Sequence, residues 1–104
     1  MKEISVNDLN NLRISNTPHQ LIDVREDYEV ENVTIDGLWI PMGNIPMEIA
    51  QIRKDIPVII HCKSGVRSAN ITKYLESQGF DNVSNLQGGI FAWIDQIDPS
   101  LPKY

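Results

Sequence analysis

The spacing of apolar positions changes several times along the 104 residues, and each change marks an element. Val6, Leu9 and Leu12 recur every third residue behind Ser5, with Asp8 placed for a capping arrangement, which predicts a short amphipathic helix ending near Arg13. Asn16-Thr17-Pro18 breaks it. Residues 20–24 form a short apolar run that stops at Arg25-Glu26-Asp27, the form of a buried strand whose carboxyl end carries polar groups. A brief helical turn is predicted over 26–33 and a small strand over 38–40, just before Pro41. Ile45, Ile49 and Ile52 then give helical spacing after Pro46.

Residues 57–61, Pro-Val-Ile-Ile-His, give the strongest strand signal: an unalternating apolar, β-branched run implies burial on both faces, and predicts the central strand. A polar turn, Cys62 to Val66, leads into helical offsets at Ile71, Tyr74, Leu75 and Gln78, with Gly79 as the stop. Val83 to Leu86 reads as a last strand, Gly88-Gly89 as a turn, and Ile90 to Ile97 as a final helix ended by Pro99. Strands alternating with helices predict an α/β fold with three layers: an open, mainly parallel sheet of about five strands, helices on both faces, right-handed crossovers. Ligands in such folds gather at the carboxyl ends of the strands, where this reading puts both Arg25 and Cys62.

Length and composition narrow the picture. A chain of 104 residues is read as one domain, residues 1–104, with 41% hydrophobic and 22% charged residues near the globular average. Nine Lys and Arg against fourteen Asp and Glu give a net charge of −5, which opposes broad phosphate-backbone contact and argues against nucleic acid as a partner. No signal-like or membrane-spanning run is present, so a reducing cytoplasm is the expected compartment and no membrane partner is expected. With Cys62 the only cysteine, no intramolecular disulfide and no Cys-rich metal site can be built; neither a metal nor a cofactor is called for.

Cys62 is either a small buried hydrophobe ending a core strand or a nucleophile. A cysteine between a strand and a helix N-terminus meets backbone N–H groups without intrahelical partners, and the positive end of the helix dipole lowers its pKa. Lys63 and Arg67 add positive charge, Gly65 permits positive φ or close approach, and Ser64 and Ser68 offer hydroxyl donors. A cation such as Arg67 in a helix's first turn opposes the dipole and suggests an anion to meet.

The segment Cys62-Lys63-Ser64-Gly65-Val66-Arg67-Ser68 resembles the active loop of the rhodanese-like sulfurtransferases, Cys-x-x-Gly-x-Arg-Ser. Leu21-Ile22-Asp23-Val24-Arg25-Glu26 is similar to that family's Asp-Val-Arg-Glu signature, and residues 86–93 to its Gly-Gly-x-x-Ala-Trp ending. The likeness spans nearly the whole chain. It departs at Glu31 to Gly37, where the family often carries Gly-His-Ile-Pro-Gly-Ala. The resemblance implies that Cys62 takes sulfur from a donor such as thiosulfate, holds it as a persulfide, and passes it to a thiophilic acceptor: cyanide, a small thiol or a sulfur-carrier protein. The loop amides and Arg67 would stabilise that anion. Residues 97–104 also look similar to the ending of rhodanese domains fused to adenylyltransferases, which is what suggests a protein acceptor.

The remaining candidates receive plainer roles. Asp23 is read as structural support and Arg25 as a residue steering anionic donors. His61 neighbours Cys62 in sequence, but adjacent strand residues point to opposite faces, so it is read as packed structure. His19 is assigned to a loop, and Trp39 and Trp93 to packing. Two rival functions share the loop. One is a Cys-dependent phosphatase or arsenate reductase, disfavoured because only four residues separate Cys62 from Arg67. The other is a non-catalytic binding or regulatory module, disfavoured because such domains usually lose the cysteine.

Overall fold

The computed structural model describes all residues, Met1–Tyr104. Five strands, β1 (Glu3–Ile4), β2 (Gln20–Asp23), β3 (Leu38–Trp39), β4 (Val58–His61) and β5 (Val83–Leu86), form one sheet in the order β1-β5-β4-β2-β3. Every pairing is parallel. Four α-helices, α1 (Val6–Ile14), α2 (Asp27–Asn32), α3 (Val66–Ser77) and α4 (Gly89–Gln96), connect them. The sheet is the α/β architecture that the alternation of periods predicts.

β4 is the middle strand, paired with β2 on one side and β5 on the other, and all four of its residues are buried. Strand alternation divides its side chains between two cores. Val58, Ile60 and Cys62 pack with Ile71, Leu75 and Phe80 on the α3 side. Ile59 packs with Leu21, Val6, Leu9, Ile90 and Trp93 on the side of α1 and α4. Each isoleucine taken fully out of water here contributes on the order of 2 kcal/mol. With both faces covered, function is left to the rim of the sheet.

Ser5 caps α1 through a reciprocal capping box with Asp8. Two regions differ from the sequence expectation. β1 went unpredicted because two residues carry no period; it is held by β5, with Glu3 opposite Asn85. Residues 42–52 form two 3₁₀ turns, Met42–Asn44 and Ile49–Gln51, in place of a helix. Pro46 has no N–H to donate to the carbonyl four residues back, so an α-helical ladder fails there while Ile45 and Ile52 still face the core.

Candidate active site

The chain leaves β4 at His61 and enters α3 at Val66, with only four residues between. Gly65 makes the turn at φ 106°, a left-handed conformation that costs a glycine little, and it supplies no capping side chain to α3. The sulfur of Cys62 occupies that role. Its Sγ accepts hydrogen bonds from the N–H of Gly65 at 3.1 Å and of Ser68 at 3.4 Å, and lies 3.2 Å from the Ser68 hydroxyl. Nitrogen groups that a Ser or Asp oxygen would ordinarily satisfy at a helix start here converge on a thiol. Burial pushes the thiol pKa up, but the Ser68 hydroxyl and the N–H groups of Ser68, Gly65 and Ser64 outweigh it, so Cys62 ionises below its ordinary range. The residue is only 1% exposed, because the loop it caps closes over it.

Ser68 is itself held from β5. The Asn85 side chain donates through Nδ2 to Glu3 Oε2 and to the Gly65 carbonyl, both at 3.2 Å, which turns its Oδ1 toward Ser68 Oγ at 2.5 Å. With the hydroxyl proton on Asn85, the Ser68 oxygen faces sulfur as an acceptor, the arrangement of the thiol form. Ionisation of Cys62 lets the same hydroxyl rotate onto the thiolate. Asn85 thus ties the loop to the sheet, and the sequence reading overlooked it.

The Gly-Gly segment secures the other side. Ile90 N–H donates to the Cys62 carbonyl at 2.9 Å and Phe91 N–H to the Lys63 carbonyl at 3.1 Å, so the first turn of α4 clamps the loop backbone. A Cβ on Gly89 would stand 2.5 Å from the Lys63 carbonyl oxygen and 2.6 Å from that of Cys62, at φ 61°. Only glycine fits.

Charge enters from a third direction. Arg67, in the first turn of α3, forms a two-pronged pair with Glu29, at 2.5 and 2.9 Å. Arg67, whose place in the first turn suggested an anion to meet, meets the Glu29 carboxylate of α2. Glu29 is buried, and Arg67, with a further hydrogen bond from Tyr104, holds its pKa down to about 2 despite burial. Arg67 is correspondingly raised by Glu29. The Tyr104 hydroxyl donates to Glu29 Oε2 at 2.7 Å and accepts from Arg25 Nη1 at 3.2 Å. Lys63 Nζ lies over the rings of Phe91 and Tyr104, 5.0 and 5.2 Å from their centroids.

Arg25 requires a correction. It was expected to steer anionic donors, yet it is fully buried, with its guanidinium spent on Asp23 Oδ1 and Oδ2, the carbonyls of Glu29 and Val33, and Tyr104. Residues two apart on an extended strand share a face, so Arg25 folds back onto Asp23 instead of reaching solvent. Asp23 serves to neutralise it. His61 lies on the same side, with Nε2 3.6 Å from Asp23 Oδ2, and burial lowers its pKa to about 4, leaving it neutral. Cys62 faces the opposite core, so the two make no dyad. Val66 lends its backbone to the start of α3 while its side chain is exposed. Ser64 contributes its N–H to the thiolate. His19 bonds the Thr17 carbonyl, Trp93 is core, and Trp39 is half exposed with Nε1 on the Arg25 carbonyl at 2.8 Å.

Among known proteins, residues 5–96 match the family model described as Rhodanese-like domain. YtwF of Bacillus subtilis, named as a sulfurtransferase, is 41% identical over 100 residues, covering 95% of this chain and 96% of that protein. The thiosulfate sulfurtransferase GlpE of Shewanella oneidensis is 36% identical over 93 residues, 88% of this chain and 91% of its own. A rhodanese-like domain protein from Staphylococcus aureus, solved by crystallography, superposes with a TM-score of 0.83 at 35% identity, covering 100% of this chain and 99% of that one.

Proposed function

The chain belongs to the rhodanese-like domain family and is a sulfurtransferase, and from that premise we propose that Cys62 carries the transferred sulfur as a persulfide. The observation that carries this reading is the convergence of the Gly65 and Ser68 N–H groups and the Ser68 hydroxyl on one sulfur atom. Such donors favour the thiolate over the thiol, and the thiolate is the species that attacks. With thiosulfate as donor, the Cys62 sulfur forms a bond to the outer sulfur of thiosulfate while the bond to the sulfonate sulfur breaks, and its electron pair leaves with sulfite. The product, Cys62–S–S⁻, keeps one negative charge for the same loop to hold. Cyanide or a thiolate then attacks the outer sulfur, and the electron pair of the S–S bond returns to Cys62. No net redox partner is needed, and no metal or cofactor takes part.

In this reading the loop from Lys63 to Ser68 stabilises and admits the anion. Lys63 and Arg67 draw a dianionic donor toward a chain whose net charge is −5. Arg25 and Asp23 support the fold beneath. Residues 1–104 act as one domain, and no helix is long and apolar enough to cross a membrane. The acceptor is thiophilic: cyanide, a small thiol, or a sulfur-carrier protein; the working compartment is the cytoplasm.

The test is intact mass after incubation with thiosulfate. An added mass of about 32 Da, removed by cyanide with release of thiocyanate, is expected. Cys62→Ser should fold with an unchanged circular dichroism spectrum and gain no mass. Thiocyanate formation by that variant, or a wild-type protein that never gains the mass, refutes the reading.

A further inference from the structure

Tyr104 touches the site at two points that no single packing role requires. Its hydroxyl is inserted between two charged groups, donating to Glu29 Oε2 and accepting from Arg25 Nη1. Its ring offers one surface to Lys63, with Nζ 5.2 Å from the centroid, and meets Phe91 edge to face at 5.4 Å. Lys63 and Arg67 are the two cations of the Cys62 loop, and Tyr104 reaches both: it lies against Lys63 beside Phe91 and contacts Arg67's carboxylate partner, Glu29.

The segment that brings Tyr104 here is ordered by its own contacts. Ile97 and Asp98 donate to the Trp93 carbonyl at 2.8 and 3.1 Å, Ser100 closes on the Asp98 carboxylate, and Leu101 packs into the α1 and α4 core. Lys103 pairs with Asp95 and lies over Phe91. The chain is thereby returned to the carboxyl rim of the sheet. Burial and the neighbouring Glu29 raise the Tyr104 pKa to about 12, so its hydroxyl keeps its proton and remains a donor at neutral pH.

We propose that Tyr104 is a positioning residue for anion entry, its ring setting the Lys63 ammonium and its hydroxyl, through Glu29, setting the Arg67 guanidinium. Segment 97–104 is on this view a working wall of the site. The inference rests on the reading of Cys62 as a nucleophile loaded by an anionic donor. It adds that the cationic field at the sulfur is tuned from outside the Cys62 loop.

Two variants separate the arms. Tyr104→Phe keeps the ring and removes the hydroxyl, whereas Tyr104→Leu removes both. The primary measurement is the ratio of Cys62 alkylation rates with iodoacetate and iodoacetamide, reagents alike in size and leaving group and different in charge. Displacing one screened cation by several ångströms lowers that ratio roughly two- to threefold, so Tyr104→Phe should show about one such step and Tyr104→Leu about two. In single-turnover loading, the half-saturating thiosulfate concentration should rise in step while the maximal rate holds. A purely structural role would slow both reagents alike and lower the maximal rate. An unchanged ratio in folded Tyr104→Leu overturns the proposal, as does equal slowing of the two reagents. The expected fall of the ratio in both variants, together with a wild-type protein that gains no sulfur from thiosulfate, would support the Tyr104 assignment while sinking the persulfide reading.

Discussion

Glu29→Gln changes one charge and almost no volume, and so isolates what the buried carboxylate does for the site. In the native protein Glu29 Oε1 accepts from Arg67 Nη1 and from the Glu26 N–H, and Oε2 accepts from Arg67 Nη2 and Tyr104. A glutamine must turn its amide nitrogen toward one side of that ring of donors, donor against donor. Lowering the carboxyl from 4.5 to about 2 corresponds to about 3 kcal/mol at roughly 1.36 kcal/mol per pH unit. The Arg67 side chain is 29% exposed, and solvent screening of its charge leaves about 2 kcal/mol. For a domain of this size that is a fall in melting temperature on the order of 10 °C at neutral pH.

The sign of the pH dependence gives the sharper test. A carboxyl whose folded pKa lies below its unfolded value contributes fully above the unfolded 4.5 and loses that contribution as pH falls toward about 2. The stability gap between wild type and Glu29→Gln should be widest at pH 7 and shrink to roughly half by pH 3. Urea unfolding of both proteins at the two pH values measures it, since groups titrating in common cancel in the difference. A gap equal at pH 7 and pH 3 would show that shape and hydrogen bonding, not the charge of Glu29, hold Arg67.

Gly89→Ala places a methyl 2.5 Å from the Lys63 carbonyl oxygen at a positive φ, so the α4 clamp must shift away from the loop; sulfur loading should fall at least tenfold, checked by mass spectrometry beside an unfolding curve. Loading at the wild-type rate would show that the clamp is dispensable. His61, with pKa about 4 against 6.5 when unfolded, makes the native state resist a proton that the unfolded chain accepts. Stability should therefore fall by up to about 3 kcal/mol as pH drops from 6.5 to 4, and His61→Leu should flatten that slope in urea titrations. An identical slope in the variant rejects His61 as its source.

The loop was the most legible part of the molecule because its chemistry is local. A cysteine, a glycine and a serine spaced across one strand-to-helix turn dictate which N–H groups can reach the sulfur, whatever the rest of the chain does. The central position of β4 was legible for a related reason: an unbroken β-branched run can be buried only between two layers. Glu29 was not legible. It is one of four acidic residues between Glu26 and Glu31, and choosing the one that turns inward requires knowing where Arg67 lies, 38 positions away. Arg25 was misread from a rule already available, since period two puts it beside Asp23. Asn85 left a similar trace, a polar side chain two residues after Val83 on the same buried strand face.

These failures share a cause that also describes how the site is divided. The neutral groups around the Cys62 sulfur, the Gly65 and Ser68 N–H groups and the Ser68 hydroxyl that Asn85 anchors as acceptor, are fixed by backbone geometry or by a neighbouring strand. The two cations of the loop, Lys63 and Arg67, which on the proposed reading meet the incoming donor, are contacted by side chains far along the chain, Tyr104 and Glu29. Helix N–H groups act at contact distance and are little affected by salt, whereas partly exposed cations act at longer range and are screened. Raised ionic strength should therefore weaken the capture of anionic donors while leaving the ionisation of Cys62 nearly in place. The acidic surface makes this division useful: with net charge −5 the chain repels anions at long range, and on the proposed reading Lys63 and Arg67 supply a local attraction at the rim that carries Cys62.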